Sequence, residues 1–285
     1  GFTSLGIVLA AAAVFVWIQV LNGPDGKLHV YFFDVGQGDS ALIVTPAGKQ
    51  VLVDGGPEAE SAIRALTGPL PGGDRSLDML VLTHPDADHS RGLLEVLDQY
   101  RVASVLVGIE DTDSPLNSQW QASLERESPM KIPVTAGYRV VLEPGLTLEV
   151  LNPPGTATRG SAAGQNNNAV VLRLVYGRVS FLLAADIEAE AENYMVRRSE
   201  ALQSAVLKVP HHGSRTSTTP GFLERVDPAV AVVSVGEANQ FGHPRPEVAD
   251  RLEEAVGPEA VYRTDRDGTI EFLSDGERLW VGTER

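Results

Sequence analysis

One stretch constrains this chain more than any other: Thr83-His84-Pro85-Asp86-Ala87-Asp88-His89. An apolar run, Met79-Leu80-Val81-Leu82, leads into it, and a helical pattern, Leu93-Leu94 then Val96-Leu97, follows it. The stretch therefore reads as a loop at the C-terminal end of a strand, opening into a helix. Two imidazoles and two carboxylates lie within six residues. A plain polar turn with an Asp N-cap needs only one of them. Backbone fixed by a strand on one side and a helix on the other holds such groups rigidly. His with Asp suits borderline divalent ions such as zinc, manganese or iron.

The other histidines follow the same rule. Five of the six (His84, His89, His211, His212, His243) fall in loops at strand ends, and only His29 lies within a strand. The strands that place them read from alternation and β-branched content: 28–33, 41–45, 50–53, 79–82, 104–107, 138–142, 146–151, 169–176, 179–184, 205–209, 229–235, 269–273 and 278–281. Helical patterns cover 60–66, 93–100, 118–126, 188–198, 220–226 and 246–256, with loops at 68–74, 109–117 and 155–168. Few long βαβ runs occur. Mixed sheets with outer helices and active loops on one edge describe a layered α/β sandwich.

The residues permit two metal ions. Alternate residues of an extended loop point to opposite sides, so His84 and Asp86 face one ion while Asp88 and His89 face the second. Asp186, at the end of strand 179–184, bridges both, and His243 completes the second site. A water between two such ions loses a proton near neutral pH and attacks a phosphoryl or carbonyl centre. His211 or His212 is then free to act as proton donor. Asp54, ending strand 50–53 before Gly55-Gly56, is placed to hold the metal loop by hydrogen bonds. Lys208, Ser214 and Arg215, with Arg91, Arg245 and Arg266 nearby in the same loops, are the candidates for holding an anionic substrate such as a phosphodiester.

Composition bounds the reading. There is no Cys, which excludes disulfides, thiolate metal sites and Cys nucleophiles. A net charge of −15 over 285 residues argues against a surface that coats nucleic acid generally. Residues 1–24 carry no charged side chain. The run from Phe2 to Leu21 has the length of a membrane-spanning helix, with Trp17 near one end. No basic residue precedes it and the first residue is Gly, so a signal peptide is a poor fit. The expectation is a transmembrane helix over 1–22, the last of a longer membrane protein, then a linker over 23–27 and a hydrolase domain over 28–285.

Taken as a series, F-D-V-G-Q-G-D-S (33–40), V-D-G-G (53–56), T-H-P-D-A-D-H (83–89), Q-N-N-N-A (165–169), L-L-A-A-D (182–186), K-V-P-H-H-G-S (208–214) and G-H-P-R-P-E-V (242–248) resemble the metallo-β-lactamase fold superfamily. Within it, the chain is most similar to the C-terminal domain of ComEC-type competence proteins, the inner-membrane channels for DNA uptake. The resemblance implies a four-layer αββα sandwich with a dinuclear centre in an edge cleft, filled by Mn2+ or Zn2+. It implies a nuclease acting on the single DNA strand that is not imported. It also implies an inner-membrane location with the hydrolase domain on the outer side, joined to the rest of the channel protein.

The chain departs from the superfamily pattern at several places. Asp86 stands at the second His of H-x-H-x-D-H, which shifts the first site towards oxygen ligands and admits manganese. No His lies between His89 and His211 to supply that site's third ligand. The Asn166–Asn168 stretch occupies the region, with Asn167 a supporting residue, and the first site is accordingly weak. Ala169, Ala184-Ala185, Arg91 and Arg245 also stand where the branch has other residues. Two alternatives stay open: a hydrolase of a small ester, lactone or phosphocholine-like group, and a non-catalytic metal-binding domain that guides DNA.

Overall fold

Alternation along each strand decides the layers. In β1 (Leu28–Phe32) Leu28, Val30 and Phe32 are fully buried while His29 and Tyr31 face the other side. The computed structural model describes residues 23–108, 114–155, 164–198 and 201–285. The expected membrane helix over 1–22 lies outside those residues. Among the described residues, no helix is long and apolar enough to cross a membrane.

The first half runs β2 (Ala41–Val44), β3 (Gln50–Val53), α1 (Ser61–Leu66), β4 (Ser76–Leu82), α2 (Ala87–Gln99), β5 (Arg101–Val107), α3 (Pro115–Glu127) and β6 (Met130–Pro133). The middle runs β7 (Arg139–Glu143), β8 (Leu146–Asn152), α4 (Gly164–Asn167), β9 (Val171–Tyr176), β10 (Val179–Leu183), α5 (Ala189–Arg197) and β11 (Val206–Lys208). A 3-10 turn (Pro210–Gly213), α6 (Pro220–Val226), β12 (Val230–Val233), α7 (Pro246–Val256), a second 3-10 turn (Pro258–Ala260), β13 (Val261–Arg263), α8 (Thr264–Asp267), β14 (Ile270–Ser274) and β15 (Leu279–Thr283) complete it.

Eight strands form one sheet in the order β15-β14-β1-β2-β3-β4-β5-β6, and seven form the other in the order β13-β12-β11-β10-β9-β8-β7. Val51, Val53, Met79 and Val81 of the first sheet and Leu172, Leu174, Phe181 and Leu183 of the second share one core between the sheets. Leu52, Leu80 and Leu82 turn outward under α1, α2 and α3. Leu182, Leu207 and Val233 turn outward under α5, α6 and α7. Helix, sheet, sheet, helix is the four-layer sandwich that the family resemblance implies.

Strands β3 and β4 run parallel, as do β10, β11 and β12. Their C-terminal ends therefore emerge along one edge, where an α/β fold gathers its functional loops. The two sheets are tied there, Val170 N–H donating to the Thr83 carbonyl at 2.8 Å.

Three local expectations are corrected. The second half of the opening motif is not extended: α2 begins at Ala87, so Asp88 and His89 lie in its first turn and Asp86 at its N-cap position. Their directions follow helical geometry rather than strand alternation. The loop expected over 155–168 holds the short helix α4, while 156–163 lie outside the described residues. Strands β6 and β13 escaped notice because each is short and pairs only at the margin of its sheet.

Helix α2 approaches β3 through glycine. A Cβ on Gly92 would lie 1.9 Å from the Gly55 carbonyl oxygen, and one on Gly55 would lie 2.4 Å from the Leu93 nitrogen. Both contacts are backbone and cannot be relieved by a rotamer change. Gly92→Ala is therefore expected to destabilise the chain by about 2 kcal/mol or more. Gly221→Ala, on α6 with nothing within 4 Å, should stabilise it by up to about 1 kcal/mol. Thermal melts of the two variants against the parent chain check the contrast.

Candidate metal centre

The centre assembles from loops at five strand ends. Asp54 follows β3, Thr83-His84 follow β4, Asp186 follows β10, His211-His212 follow β11, and Ser234 follows β12. Asp54, Ala185, His211 and His212 all adopt positive φ between 48° and 59°. Such conformations are costly for residues with a Cβ, and they are tolerated where surrounding contacts fix them. His211 N–H donates to the Ala185 carbonyl at 3.0 Å, and Asp54 N–H to the Val81 carbonyl at 2.9 Å.

Asp54 is the organising acceptor. Its Oδ1 accepts the Thr83 backbone N–H at 2.9 Å, and its Oδ2 accepts the Thr83 hydroxyl at 2.7 Å and His89 Nδ1–H at 2.8 Å. With its own proton given to Asp54, Thr83 Oγ1 accepts from His84 Nδ1 at 3.0 Å. His212 Nδ1 donates to the Ser234 carbonyl at 2.8 Å. Each ring is pinned through Nδ1, so Nε2 is the atom turned towards the centre. Nε2 of His84, His89 and His212 are all buried and have no hydrogen-bond partner. Three such nitrogens in one place, each oriented by an acceptor on its far side, fit the donor set of a metal site.

Four of the groups converge. His212 Nε2 lies 3.3 Å from Asp88 Oδ2 and 3.3 Å from Asp186 Oδ2. His89 Nε2 lies 3.5 Å from Asp186 Oδ1 and 3.9 Å from Asp88 Oδ2. One donor atom from each of Asp88, His89, Asp186 and His212 lies within 4.8 Å of all the others. Metal–ligand bonds of about 2.1 Å bring donors to such separations. Asp88 is one-third exposed and is the open side of the group.

Beside it, His84 Nε2 sits 3.5 Å from Asp86 Oδ2, and the His84 and His89 rings are 4.2 Å apart. The Gln165 amide donates to Asp86 Oδ1. Asn167 turns the other way: its Oδ1 accepts the N–H groups of Glu188 and Ala191, at 3.0 and 3.4 Å. It caps the helix that follows Asp186 and contributes no ligand atom.

Charge explains the composition of the floor. Asp39 and Asp186 both approach the buried ammonium of Lys208, with Asp54 grouped beside Asp39 and Asp88 beside Asp186. Lys208 is 3% exposed, pairs with Asp39, donates to the Ala185 carbonyl at 3.1 Å and lies 3.5 Å from Asp186 Oδ1. Burial disfavours its charge, but Asp39 and Asp186 overcome that and raise its pKa. Burial likewise opposes charge on His212, yet Asp186, Asp88 and Asp39 push it up to about 10. The carboxylates thus draw protons onto the ring nitrogens unless a metal cation takes their place. His243 goes the other way, pushed down to about 4 by burial and by His212, His211 and Arg245.

Several sequence expectations change. His212, not His243, lies in the four-donor group, and His243 packs edge-on against His211 with ring centroids 5.9 Å apart. His212, pinned to Ser234, is therefore not free as a proton donor. Lys208 is sealed in the floor and does not face substrate. The Ser214 hydroxyl is buried against Thr216 Oγ1 at 3.0 Å, whereas Arg215 is exposed. No Asn of 166–168 enters the four-donor group. The sequence reading missed Asp39, Thr83, Gln165 and Ser234 as participants. Asp39 carried a signal in the sequence, its place directly after the Gly36-Gln37-Gly38 turn.

The model of the metallo-beta-lactamase superfamily matches residues 33–237, a span that holds every member of the four-donor group. The chain belongs to the metallo-β-lactamase superfamily. Three of its curated relatives are competence proteins of the ComEC type. It is 30% identical to ComE operon protein 3 of Bacillus subtilis (strain 168) over 263 residues, which is 86% of this chain and 33% of that protein. It is 30% identical to Competence protein ComA of Neisseria gonorrhoeae over 254 residues, 87% of this chain and 33% of that one. It is 30% identical to Recombination protein 2 of Haemophilus influenzae over 292 residues, 99% and 33%. The chain thus spans about a third of the length of these relatives.

Among solved structures, the metallo-beta-lactamase fold protein YhfI from Bacillus subtilis superimposes with a TM-score of 0.56 at 13% identity, covering 90% of this chain and all of that one. CmlA, a diiron beta-hydroxylase from Streptomyces venezuelae, gives 0.52 at 15% identity, covering 84% and 52%. These likenesses concern the fold alone, and a fold that carries a hydroxylase does not by itself decide the reaction.

His212→Ala is expected to lower Mn2+ and Zn2+ affinity by at least about a hundredfold, and His243→Ala by far less. In the parent chain, affinity should rise with pH towards about 10, as the proton on His212 becomes easier to displace. Calorimetric titrations at several pH values measure both.

Proposed function

We propose that the chain is a metal-dependent phosphodiesterase acting on single-stranded DNA, as the hydrolytic domain of a competence-type DNA-uptake membrane protein. The observation that carries this reading is the convergence of Asp88, His89, Asp186 and His212, with three inward Nε2 atoms pinned from behind. A divalent ion held there supplies Lewis acidity towards a phosphoryl oxygen and acidifies water. His84 and Asp86, joined by the Gln165 amide, offer room for a second, weaker ion. The ComEC-type relatives support the competence setting; an inner-membrane location with this domain on the outer side, and attachment to further channel segments, are part of the proposal.

The chain's own residues divide the remaining work. Asp88 and Asp186 hold the cation and keep its charge partly neutralised. His211 is the proton donor to the leaving group. It is a quarter exposed, its Nε2 lies 3.9 Å from Asp186 Oδ2, and its Nδ1 lies 3.6 Å from Glu188 Oε1. No hydrogen bond fixes that Nδ1, and burial lowers the pKa of His211 although Asp186 and Glu188 oppose it, so the protonated ring is a stronger acid than a free imidazolium. Arg215, exposed at the rim, is the cation available to a phosphate, and Arg91 and Arg245 flank the same loops.

A second reading, a hydrolase of a small ester, lactone or phosphocholine-like substrate, draws support from the net charge of −15, which disfavours long polyanions. Rates on single-stranded DNA and on a panel of chromogenic esters and lactones separate the two.

With Mn2+, the purified chain is expected to cleave single-stranded DNA. His211→Ala should lower kcat by about a hundredfold or more at unchanged metal content, and Asp88→Ala should lose both metal and activity. A metal-loaded chain that cleaves no phosphodiester overturns the proposal.

A further inference from the structure

Phe241 is a large apolar side chain left 58% exposed, three ring contacts from the four-donor group. The other exposed large apolar residues among those described, Met130, Tyr138, Val141, Trp280 and Val281, lie on or beside β6, β7 and β15, at the margins of the sheets. Phe241 instead belongs to the loop between β12 and α7, which folds back over the tandem histidines. That loop is firmly held. Arg245 N–H donates to the Gly213 carbonyl at 2.9 Å. Asn239 clasps His243 twice, its Oδ1 accepting the His243 N–H at 2.8 Å and its Nδ2 donating to the His243 carbonyl at 3.0 Å. A Cβ on Gly213 would lie 2.6 Å from Pro244 Cβ, which shows how closely the loop is seated.

The rings form a continuous path from the surface to the metal group. Phe241 stacks on His243, with centroids 5.7 Å apart and planes 24° from parallel. His243 packs edge-on against His211 at 5.9 Å, and His211 against His212 at 6.3 Å. His212 is a member of the four-donor group. One face of Phe241 is therefore backed by a fixed imidazole, while the rest of the ring is open to solvent. The Arg245 guanidinium lies next to the same loop, its Nη1 3.6 Å from where a Cβ on Gly242 would be.

An exposed aromatic face braced from behind, with a cation alongside and a phosphodiester-suited centre a few ring widths away, has the elements of a single-strand binding platform. Packing into the chain's own core does not explain it, because more than half of the side chain is exposed. Its rigidity lowers the entropy cost of a stacking partner. Bases inside a duplex present no free face, so such a platform selects unpaired nucleotides. We propose that Phe241 seats a nucleobase of the substrate strand beside the metal centre, making the preferred substrate a single-stranded nucleic acid and not a bare phosphodiester backbone. The inference rests on the phosphodiesterase reading for its catalytic consequence, but the binding it describes does not require turnover.

The test compares the 285-residue chain, Phe241→Ala and Phe241→Trp, all loaded with Mn2+, on an oligothymidylate and on an abasic oligomer of equal length. Loss of one stacking contact is expected to raise KM for the oligothymidylate about tenfold, with a smaller change in kcat. The abasic oligomer should be handled alike by the parent chain and Phe241→Ala, and Phe241→Trp should keep the preference for bases. Fluorescence anisotropy of labelled oligomers with the metal-free chain provides a readout without hydrolysis, in which Phe241→Ala should remove most of the preference for the base-bearing strand. Unchanged discrimination between the two oligomers in Phe241→Ala, in kinetics and in binding, overturns the proposal. If the parent chain cleaves neither oligomer yet binds thymidylate better than the abasic strand through Phe241, the platform stands and the hydrolase reading falls.

Discussion

The whole centre depends on the buried carboxylate of Asp54. It accepts three hydrogen bonds, two from Thr83 and one from His89. Those bonds lock the end of β3 to the end of β4 and to the first turn of α2. They also settle which nitrogen of His89 faces inward and, through the Thr83 hydroxyl, which nitrogen of His84 does so. An imidazole free to rotate or change tautomer offers a metal only a fraction of its states; one held by an anionic acceptor offers a single, more basic donor. Ser234 does the same for His212 from the second sheet. The donor set is thus prepared by hydrogen bonds made behind it.

Preparing it strains the chain locally. Four centre residues adopt left-handed backbone, and two carboxylates, Asp39 and Asp186, close on one buried ammonium. Each left-handed residue costs on the order of 1 kcal/mol, and unpaired buried charge costs more. The fold can hold this because the centre sits on the edge of a large apolar sandwich, with one core between the sheets and one under each helical layer. Lys208 is an internal counter-ion to the acidic floor, and a divalent cation held by Asp88, His89, Asp186 and His212 would offset the remaining negative charge.

Much of this was legible in the residues. Strand-end placement of five histidines located the functional edge, and the sandwich followed from alternation with intervening helices. Asp54 at a strand end was recognised as a possible support. What failed was direction. Alternation was applied to Asp88 and His89 as if the motif stayed extended, but the helix starts at Ala87. The tandem His211-His212 could not be sorted, because two successive left-handed residues send the rings apart in a way no periodicity encodes. Its position among the loop cations suggests that Lys208 holds an anionic substrate, yet it ends a short strand buried along its whole length. A cation in that position must point at carboxylates. Asp39 lay in a quoted motif and still passed as a turn residue, because its partner Lys208 is distant in sequence and meets it only when the sheets close.

The central claim is that Asp88, His89, Asp186 and His212 hold a cation, with His243 outside its coordination. Anomalous diffraction at the manganese edge from crystals of the Mn2+-loaded chain tests it most directly. The account predicts a strong peak within bonding distance of His89 Nε2, His212 Nε2 and both carboxylates. A peak coordinated by His243 in place of His212, or no peak at a site where these four residues are well ordered, would contradict it.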